Sequence, residues 1–275
     1  MAVSTQPARL SIPSALSAPV SAALLPFDSV ILDEMENVAL LNRVDTKFLL
    51  SEADLVTILG RVNSYYRVLT INGVRAGHYA SLYFDTPDYR MYLDHHNGLR
   101  DRFKVRVRQY VDSGVAFLEV KRKTNRERTL KTRIPVRPDL MSLLGAEGGF
   151  VESETPYRAH MLHPGLSNSF ARTTLVGREL SERVTLDFGL RLALGDAEVL
   201  LPGLVIAEVK QPKFTTDSPF VRGLRALHIE PRSFSKYCMG LVLLEPQLKS
   251  NTFKGHRLFL EQLLAGRRTH ARIAE

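Results

Sequence analysis

Between Arg100 and Arg108 the chain reads Arg-Asp-Arg-Phe-Lys-Val-Arg-Val-Arg, so positions 100, 102, 104, 106 and 108 are all cationic while Phe103, Val105 and Val107 alternate with them. A period of two is that of a strand, which makes one face apolar and the other entirely positive. On an extended chain these side chains repeat every ~6.6 to 6.8 Å, where two like charges repel by about 2.5 kcal/mol at an effective dielectric of 20. A multivalent anion relieves that repulsion. The alternative is a solvated outer face, where water and salt reduce it to about a few tenths of a kcal/mol. Such a face ordinarily mixes Thr, Glu, Lys and Ser, and the single-sign row argues for an anion.

The charge is also concentrated along the chain. Residues 100–133 hold twelve of the 37 Lys and Arg and four of the 29 Asp and Glu, so the net +8 of the protein resides there and the rest is neutral. A pI near 9.7 therefore describes one dense site, suited to a compact polyanion such as a phosphate chain.

The same alternation recurs on the elements that must position this row. Glu119, Lys121 and Lys123 share a face against Leu118 and Val120, and Lys131 and Arg133 oppose Leu130 and Ile134. Arg183, Thr185 and Asp187 alternate with Val184 and Leu186, and Glu208 and Lys210 with Val205, Ala207 and Val209. Strands are expected over 44–50, 79–85, 99–110, 115–123, 128–136, 167–176, 182–188 and 204–210, with turn signals at Asp112-Ser113-Gly114 and Thr124-Asn125. Helical spacing is expected over 28–41, from an N-cap at Ser51 to about Val62, and over 221–227, 237–244 and 258–264. The fold class these elements imply is α+β: a closed eight-stranded antiparallel β-barrel with helices packed outside, apolar strand faces beneath the helices and ionic faces lining the interior. Periodicity alone also permits the reverse, an apolar core and an ionic exterior.

Residues 1–27, rich in Ala, Ser and Pro, read as a flexible tail, 28–250 as the barrel domain and 251–275 as a C-terminal helical extension. A chain of 275 residues with 44% hydrophobic content can bury a substantial core. Cys238 is the single cysteine, no Cys/His spacing suggests zinc, and a reducing, cytoplasmic setting is expected. No apolar run approaches the roughly 18 to 20 residues of a membrane helix, and Ala18 to Leu25 is too short and interrupted for an export signal.

Six motifs in order carry a resemblance. Ser81-Leu-Tyr-Phe-Asp-Thr-Pro87, Asn97-Gly-Leu-Arg100 through Arg106-Val-Arg108, Leu118-Glu-Val-Lys121, Arg183-Val-Thr-Leu-Asp187, Ala207-Glu-Val-Lys210 and Ser233-Phe-Ser-Lys-Tyr237 follow one another along the chain. Together they resemble the polyphosphate polymerase domain of the vacuolar transporter chaperone (VTC) family, within the CYTH-like triphosphate tunnel metalloenzyme superfamily, from about Arg43 to Leu244. The resemblance implies a tunnel whose lumen binds a triphosphate or a polyphosphate chain together with Mn²⁺ or Mg²⁺.

Residue by residue, the resemblance assigns catalytic or phosphate-binding roles to Lys47, Arg106, Arg108, Lys121, Arg172, Arg183 and Lys236, with Lys131 and Arg133 as the basic pair of the following strand. Arg102 and Lys104 join the substrate-binding set through the cationic row. Glu208 matches the metal-binding glutamate, with Glu119 or Asp187 expected nearby, because hard cations prefer oxygen ligands. The alternative for these acids is ion pairing with neighbouring arginines. The superfamily's opening Glu-x-Glu-x-Lys is here Arg43-Val-Asp45-Thr-Lys47, one acid fewer and the other shortened. The activity implied is transfer of the ATP γ-phosphate to a polyphosphate chain. A tripolyphosphatase or nucleoside triphosphatase on the same fold, and a non-catalytic polyphosphate-binding module, are the alternatives.

Other chemistry finds little support. No P-loop or Gly-x-Gly-x-x-Gly is present. Adjacent His95 and His96 would diverge on any element and read as surface or loop residues. Ser235 reads as an N-cap, and Tyr79 and Tyr83 as half-buried strand aromatics. Nucleic acid is not expected, since Phe103 lies opposite the arginines and offers no stacking platform among them. Coupling of synthesis to translocation would need a separate membrane partner.

Overall fold

The computed structural model describes residues 16–34, 43–125 and 129–266. Among the described residues there are eleven strands: β1 (Ser29–Val30), β2 (Val44–Ser51), β3 (Tyr66–Leu69), β4 (Gly77–Asp85), β5 (Arg102–Tyr110), β6 (Val115–Lys123), β7 (Thr129–Val136), β8 (His163–Gly177), β9 (Arg183–Leu194), β10 (Ala197–Leu201) and β11 (Leu204–Gln211). The helices are α1 (Ala18–Leu24), α2 (Glu52–Val62), α3 (Arg90–His96), α4 (Gly145–Glu154), α5 (Pro219–Ala226), α6 (Lys236–Leu244) and α7 (Lys254–Leu264).

Eight strands run β2-β11-β9-β8-β4-β5-β6-β7, and every neighbouring pair on this path is antiparallel. They are the eight expected from alternation. Among the described residues β2 and β7 share no ladder, so the sheet is not closed by hydrogen bonds as a closed barrel would be. Both edges carry cations that line one cavity, Lys131 and Arg133 on β7 and Arg43 and Lys47 at β2.

The outer face is apolar, as expected. Phe48, Leu50, Leu175, Val184, Leu186, Val205, Ala207 and Val209 pack under α2, α5 and α1 through Leu55, Ile58, Phe220, Leu224, Val20 and Leu24. Val105, Val107, Leu118 and Val120 form a second outer cluster with Val151 of α4. Ser51 caps α2 through a reciprocal capping box with Asp54, where the sequence places the cap.

The inner face departs from the expectation, because it changes character along its length. Lys47 and Glu208 are register partners on it, and two residues further along Leu49 and Ile206 are partners on the same face. On β9 the ionic run Arg183, Thr185, Asp187 gives way to buried Leu190 and Leu192 after Gly189, whose φ of 57° shifts the alternation by one residue. This apolar half is filled by α6, whose Tyr237, Cys238, Leu241 and Val242 pack with Leu49, Leu166, Leu190, Leu192 and Ile206. The helices therefore do not all lie outside. A residue such as Leu241, wholly buried there, contributes about 1.5–3 kcal/mol.

The segments flanking the eight strands contribute elements of their own. Within the expected tail, residues 18–24 form α1, with Pro at its first turn and Val20 and Leu24 buried against the α2 cluster. Of the helix expected over 28–41, Ser29–Val30 pairs in parallel with β3 and 35–42 lie outside the described residues. In the expected C-terminal extension, α7 buries Phe259, Leu260 and Leu263 in the same cluster as α6.

Candidate functional site

The ionic half of the inner face encloses a cavity of about 850 Å³. Twelve cations line it: Arg43, Lys47, Lys104, Arg106, Arg108, Lys121, Lys131, Arg133, Arg172, Arg183, Lys210 and Lys236, with Asp45 and Glu208 as its lining carboxylates. Ten of the eleven expected phosphate-binding residues are among them. Arg102 is not; its guanidinium donates to the Leu99 carbonyl at 2.7 Å. Arg43 and Lys210 were not assigned, although each continues an alternating run, 43-45-47 and 208-210, that marks its inward direction.

Antiparallel register creates the wall. Arg106 pairs with Glu119, Arg172 with Asp187 and Lys47 with Glu208 across neighbouring strands. Arg106 donates Nε and Nη2 to Glu119 Oε2 at 2.9 and 2.7 Å, and Lys131 contacts the other Glu119 oxygen. Arg172 grips Asp187 with Nε and Nη2 at 2.5 and 2.8 Å, and Lys236 donates to the same carboxylate. Lys47 and Lys210 flank Glu208 at 2.9 and 3.0 Å. Burial opposes ionisation of Glu119 and Asp187, but for Glu119 Arg106, Arg108 and Lys131, and for Asp187 Arg172 and Lys236, outweigh it and hold each at about 2. Against burial, Lys210 and Lys47 likewise hold Glu208 well below the usual carboxylate range.

All three acids of the expected metal set are ion-paired in this structure: Glu119, Asp187 and Glu208 each contact two cations, and among the described residues no three His, Cys, Asp or Glu side chains gather in one group. Inward acids on strands that alternate with basic neighbours find those neighbours in register. Glu208 lines the cavity, and one such carboxylate with phosphate oxygens and waters suffices for a Mg²⁺-type site.

Aromatic rings set the cations in place. Arg172 lies 5.2 Å from the Tyr79 and Phe170 centroids, Lys236 Nζ 4.1 Å from Phe170, and Arg133 4.3 Å from Phe117. Tyr83 accepts from Arg106 at 3.3 Å, so these strand aromatics form part of the cavity wall. Phe103 is on the outer face, edge-on to Tyr157, as the alternation requires. Ser235 caps α6 by accepting the Cys238 N–H at 3.2 Å and also accepts from Lys104 Nζ at 2.8 Å, which places the helix N-terminus at the cavity.

His95 and His96 are not surface residues. They end α3, where His96 is buried with Nε2 2.8 Å from Asn251 Oδ1, and His95 stacks on Phe253 at 5.9 Å. Burial first, then the charges of Lys104, Arg102 and Lys123, push the His95 imidazole down to about 3.

Among the described residues, no carboxylate makes direct contact with Arg108 or Lys121. Burial and the charges of Arg106 and Arg172 push Arg108 down to about 10, still protonated at neutral pH. Burial, with Arg106 and Arg108, pushes Lys121 well below its ordinary value despite Glu208 and Glu119. A bound anion would raise Lys121 again. Binding thus takes up a proton at any pH above the free-state value and below the bound one, so affinity falls as pH rises through that window. Calorimetry of tripolyphosphate binding in buffers of different ionisation enthalpy should register this uptake, and Lys121→Met should abolish its share.

Solved structures that resemble the chain share little sequence with it. A candidate adenylate cyclase from Vibrio parahaemolyticus is 17% identical, over 73% of this chain and 98% of its own, with a TM-score of 0.43. A candidate adenylyl cyclase from Hippeastrum, whose structure is described as revealing a dominant triphosphatase activity, is 14% identical over 74% and 96%, with a TM-score of 0.45. No curated protein matches the chain. Among the described residues no helix is long and apolar enough to cross a membrane. The VTC domain profile matches residues 42–245, a span that begins just before β2, ends just after α6 and takes in every strand of the eight-stranded path; the chain belongs to the VTC domain family.

Proposed function

We propose that this protein is a phosphotransferase that draws the γ-phosphate of ATP onto a polyphosphate chain held in the cationic cavity. The observation that supports it is the excess of twelve lining cations over two lining carboxylates in one elongated space. That space runs along β5 from Lys104 to Tyr110, a strand length of about 20 Å, and residues at both ends also line smaller cavities. An extended anion fits such a passage better than a globular one.

In this reading the arginines supply bidentate contacts to phosphate oxygens and the lysines supply point charges. Arg106 and Arg172 are fixed by their carboxylates before substrate arrives, so their charge costs little to organise. Phosphoryl transfer needs mainly in-line positioning and neutralisation of charge on the equatorial oxygens, which these groups provide. Glu208, with phosphate oxygens, would hold Mn²⁺ or Mg²⁺, which when bound adds further neutralisation of the phosphate charge.

The test is incubation of the purified protein with ATP and Mn²⁺, followed by separation of products by chain length. Elongating polyphosphate with stoichiometric ADP is expected. Free phosphate without chains would replace the polymerase by a triphosphatase, and no turnover with tight tripolyphosphate binding would make it a binding module.

A further inference from the structure

We propose that Tyr83 is a substrate-contacting residue, whose phenolic hydroxyl donates a hydrogen bond to a phosphate oxygen at the inner end of the cationic cavity, beside the first turn of α6. The inference rests on the phosphate-binding reading of that cavity and adds to it a residue that neither charge nor spacing marks.

Tyr83 stands where the two halves of the inner face meet. Its ring packs in the apolar cluster with Leu166 and Tyr237, and it also lines the cationic cavity with Lys104, Arg106 and Lys236. The backbone and a neighbouring ring aim it there. Tyr83 pairs with Arg106 on β5, but on the β8 side the ladder shifts register between Leu82 and Phe84, and a bulge of this kind re-aims a side chain. The Tyr237 ring lies against it, centroids 4.9 Å apart at 32°. Tyr237 is itself fixed, since its hydroxyl donates to Asp85, a carboxylate that also accepts the Met91 and Tyr92 N–H groups at 2.9 and 3.0 Å.

The hydroxyl so placed has an unused donor. It accepts from Arg106 Nη1 at 3.3 Å, and among the described residues nothing accepts its own proton. Its charged neighbours Lys104, Arg106, Arg108 and Lys236 have donors and no acceptor atom. A buried donor left unpaired is destabilising, and Tyr83 is only 4% exposed. An ionised phosphate, which offers acceptors only, is the complement of a wall that offers donors only. Ser235 and Lys236, the cap and first residue of α6, line the same cavity, and a helix N-terminus favours an anion.

The electrostatics agree with an anion at this point. Burial raises the Tyr83 phenol, but Arg106, Arg108 and Lys104 outweigh it and hold the group below the ordinary phenol value, whereas burial pushes Tyr79 and Tyr237 up. The other charges around it are Lys236 of α6, Arg172 of β8 in the same cavity, Glu119 of β6 behind Arg106 and Asp85 behind Tyr237. A phosphate in contact opposes formation of the phenolate, so its binding moves this ionisation upward.

Tyr83→Phe keeps the ring against Tyr237 and removes only the hydroxyl, so calorimetric titration with tripolyphosphate and pH titration of tyrosine absorbance test the proposal together. The variant should melt at nearly the wild-type temperature and bind tripolyphosphate about tenfold or more weakly, the loss of one hydrogen bond to a charged ligand. In wild-type protein, near-ultraviolet absorbance should show a tyrosine that ionises below the ordinary phenol value and moves up when tripolyphosphate is bound. The Tyr83→Phe protein should lack that component. A tyrosine with a merely structural role would not respond to the ligand. Unchanged affinity in the folded variant overturns the contact and leaves the phosphate cavity standing. A wild-type tyrosine titration that saturating tripolyphosphate does not move also overturns it, and this comparison needs no variant to fold. Failure of tripolyphosphate to bind wild-type protein removes the cationic cavity as a phosphate site, and the role of Tyr83 with it.

Discussion

Arg108→Ala should bind tripolyphosphate about 10- to 150-fold more weakly than wild type and melt at nearly the same temperature, because it removes one or two charge-assisted hydrogen bonds worth about 1.5–3 kcal/mol to the anion. Its neighbour on the same strand face should behave differently. Arg106 neutralises Glu119, a carboxylate with no exposed side-chain surface, through two hydrogen bonds. Arg106→Ala leaves that charge with Lys131 alone and should cost about 3–5 kcal/mol of stability. For a domain of this size that lowers the melting temperature by about 6–20 °C. Thermal unfolding and tripolyphosphate titration on the two single variants separate the roles. A folded Arg108→Ala protein with unchanged affinity would remove the cationic row from substrate binding.

Glu208→Gln carries the second large effect. The change keeps the side chain's shape but removes the charge that Lys47 and Lys210 now share. Without metal, both lysines are released to phosphate and a repelling carboxylate is gone, so tripolyphosphate affinity should rise. With Mn²⁺, turnover should fall about 10²-fold or more, since several kcal/mol of charge stabilisation depends on holding the cation. Metal-free titration, thermal unfolding and Mn²⁺-dependent turnover on one preparation distinguish this from a structural role, in which stability falls and turnover persists. Full Mn²⁺-dependent turnover would take Glu208 out of the metal assignment.

Much of this arrangement is legible in residue order because a strand's period is short and strict. The alternation at 102–108, 118–123 and 183–187 identifies both the strands and their inward faces, and Ser51 with Asp54 marks the start of α2. The plug is not legible in the same way. Lys47 and Leu49 occupy one face, so alternation describes both equally and says nothing of the helix that covers only the second. Helix α4 escapes because Gly145, Gly148 and Gly149 weaken its pattern. Gly148 is needed there: a Cβ would stand 3.0 Å from the Leu143 carbonyl oxygen and 3.2 Å from Ala159. The fate of the acids is undetermined for a different reason, since a metal ligand and a salt-bridge partner are both ionised carboxylates facing inward. The register that sets Glu119 beside Arg106, Asp187 beside Arg172 and Glu208 beside Lys47 supplies salt-bridge partners to all three acids alike.

The helix lodged in the sheet also sets an order of assembly. All eight strands of the path are complete by Gln211, whereas Ser235 and Lys236 and the apolar body of α6 follow it. A chain emerging from the ribosome therefore makes every wall of the passage before its floor, and until α6 docks, Leu49, Leu190, Leu192 and Ile206 lack the partners that keep them from water. Completion of the cationic lining is therefore a late event, reached when Lys236 joins the eleven lining cations that precede it in the chain.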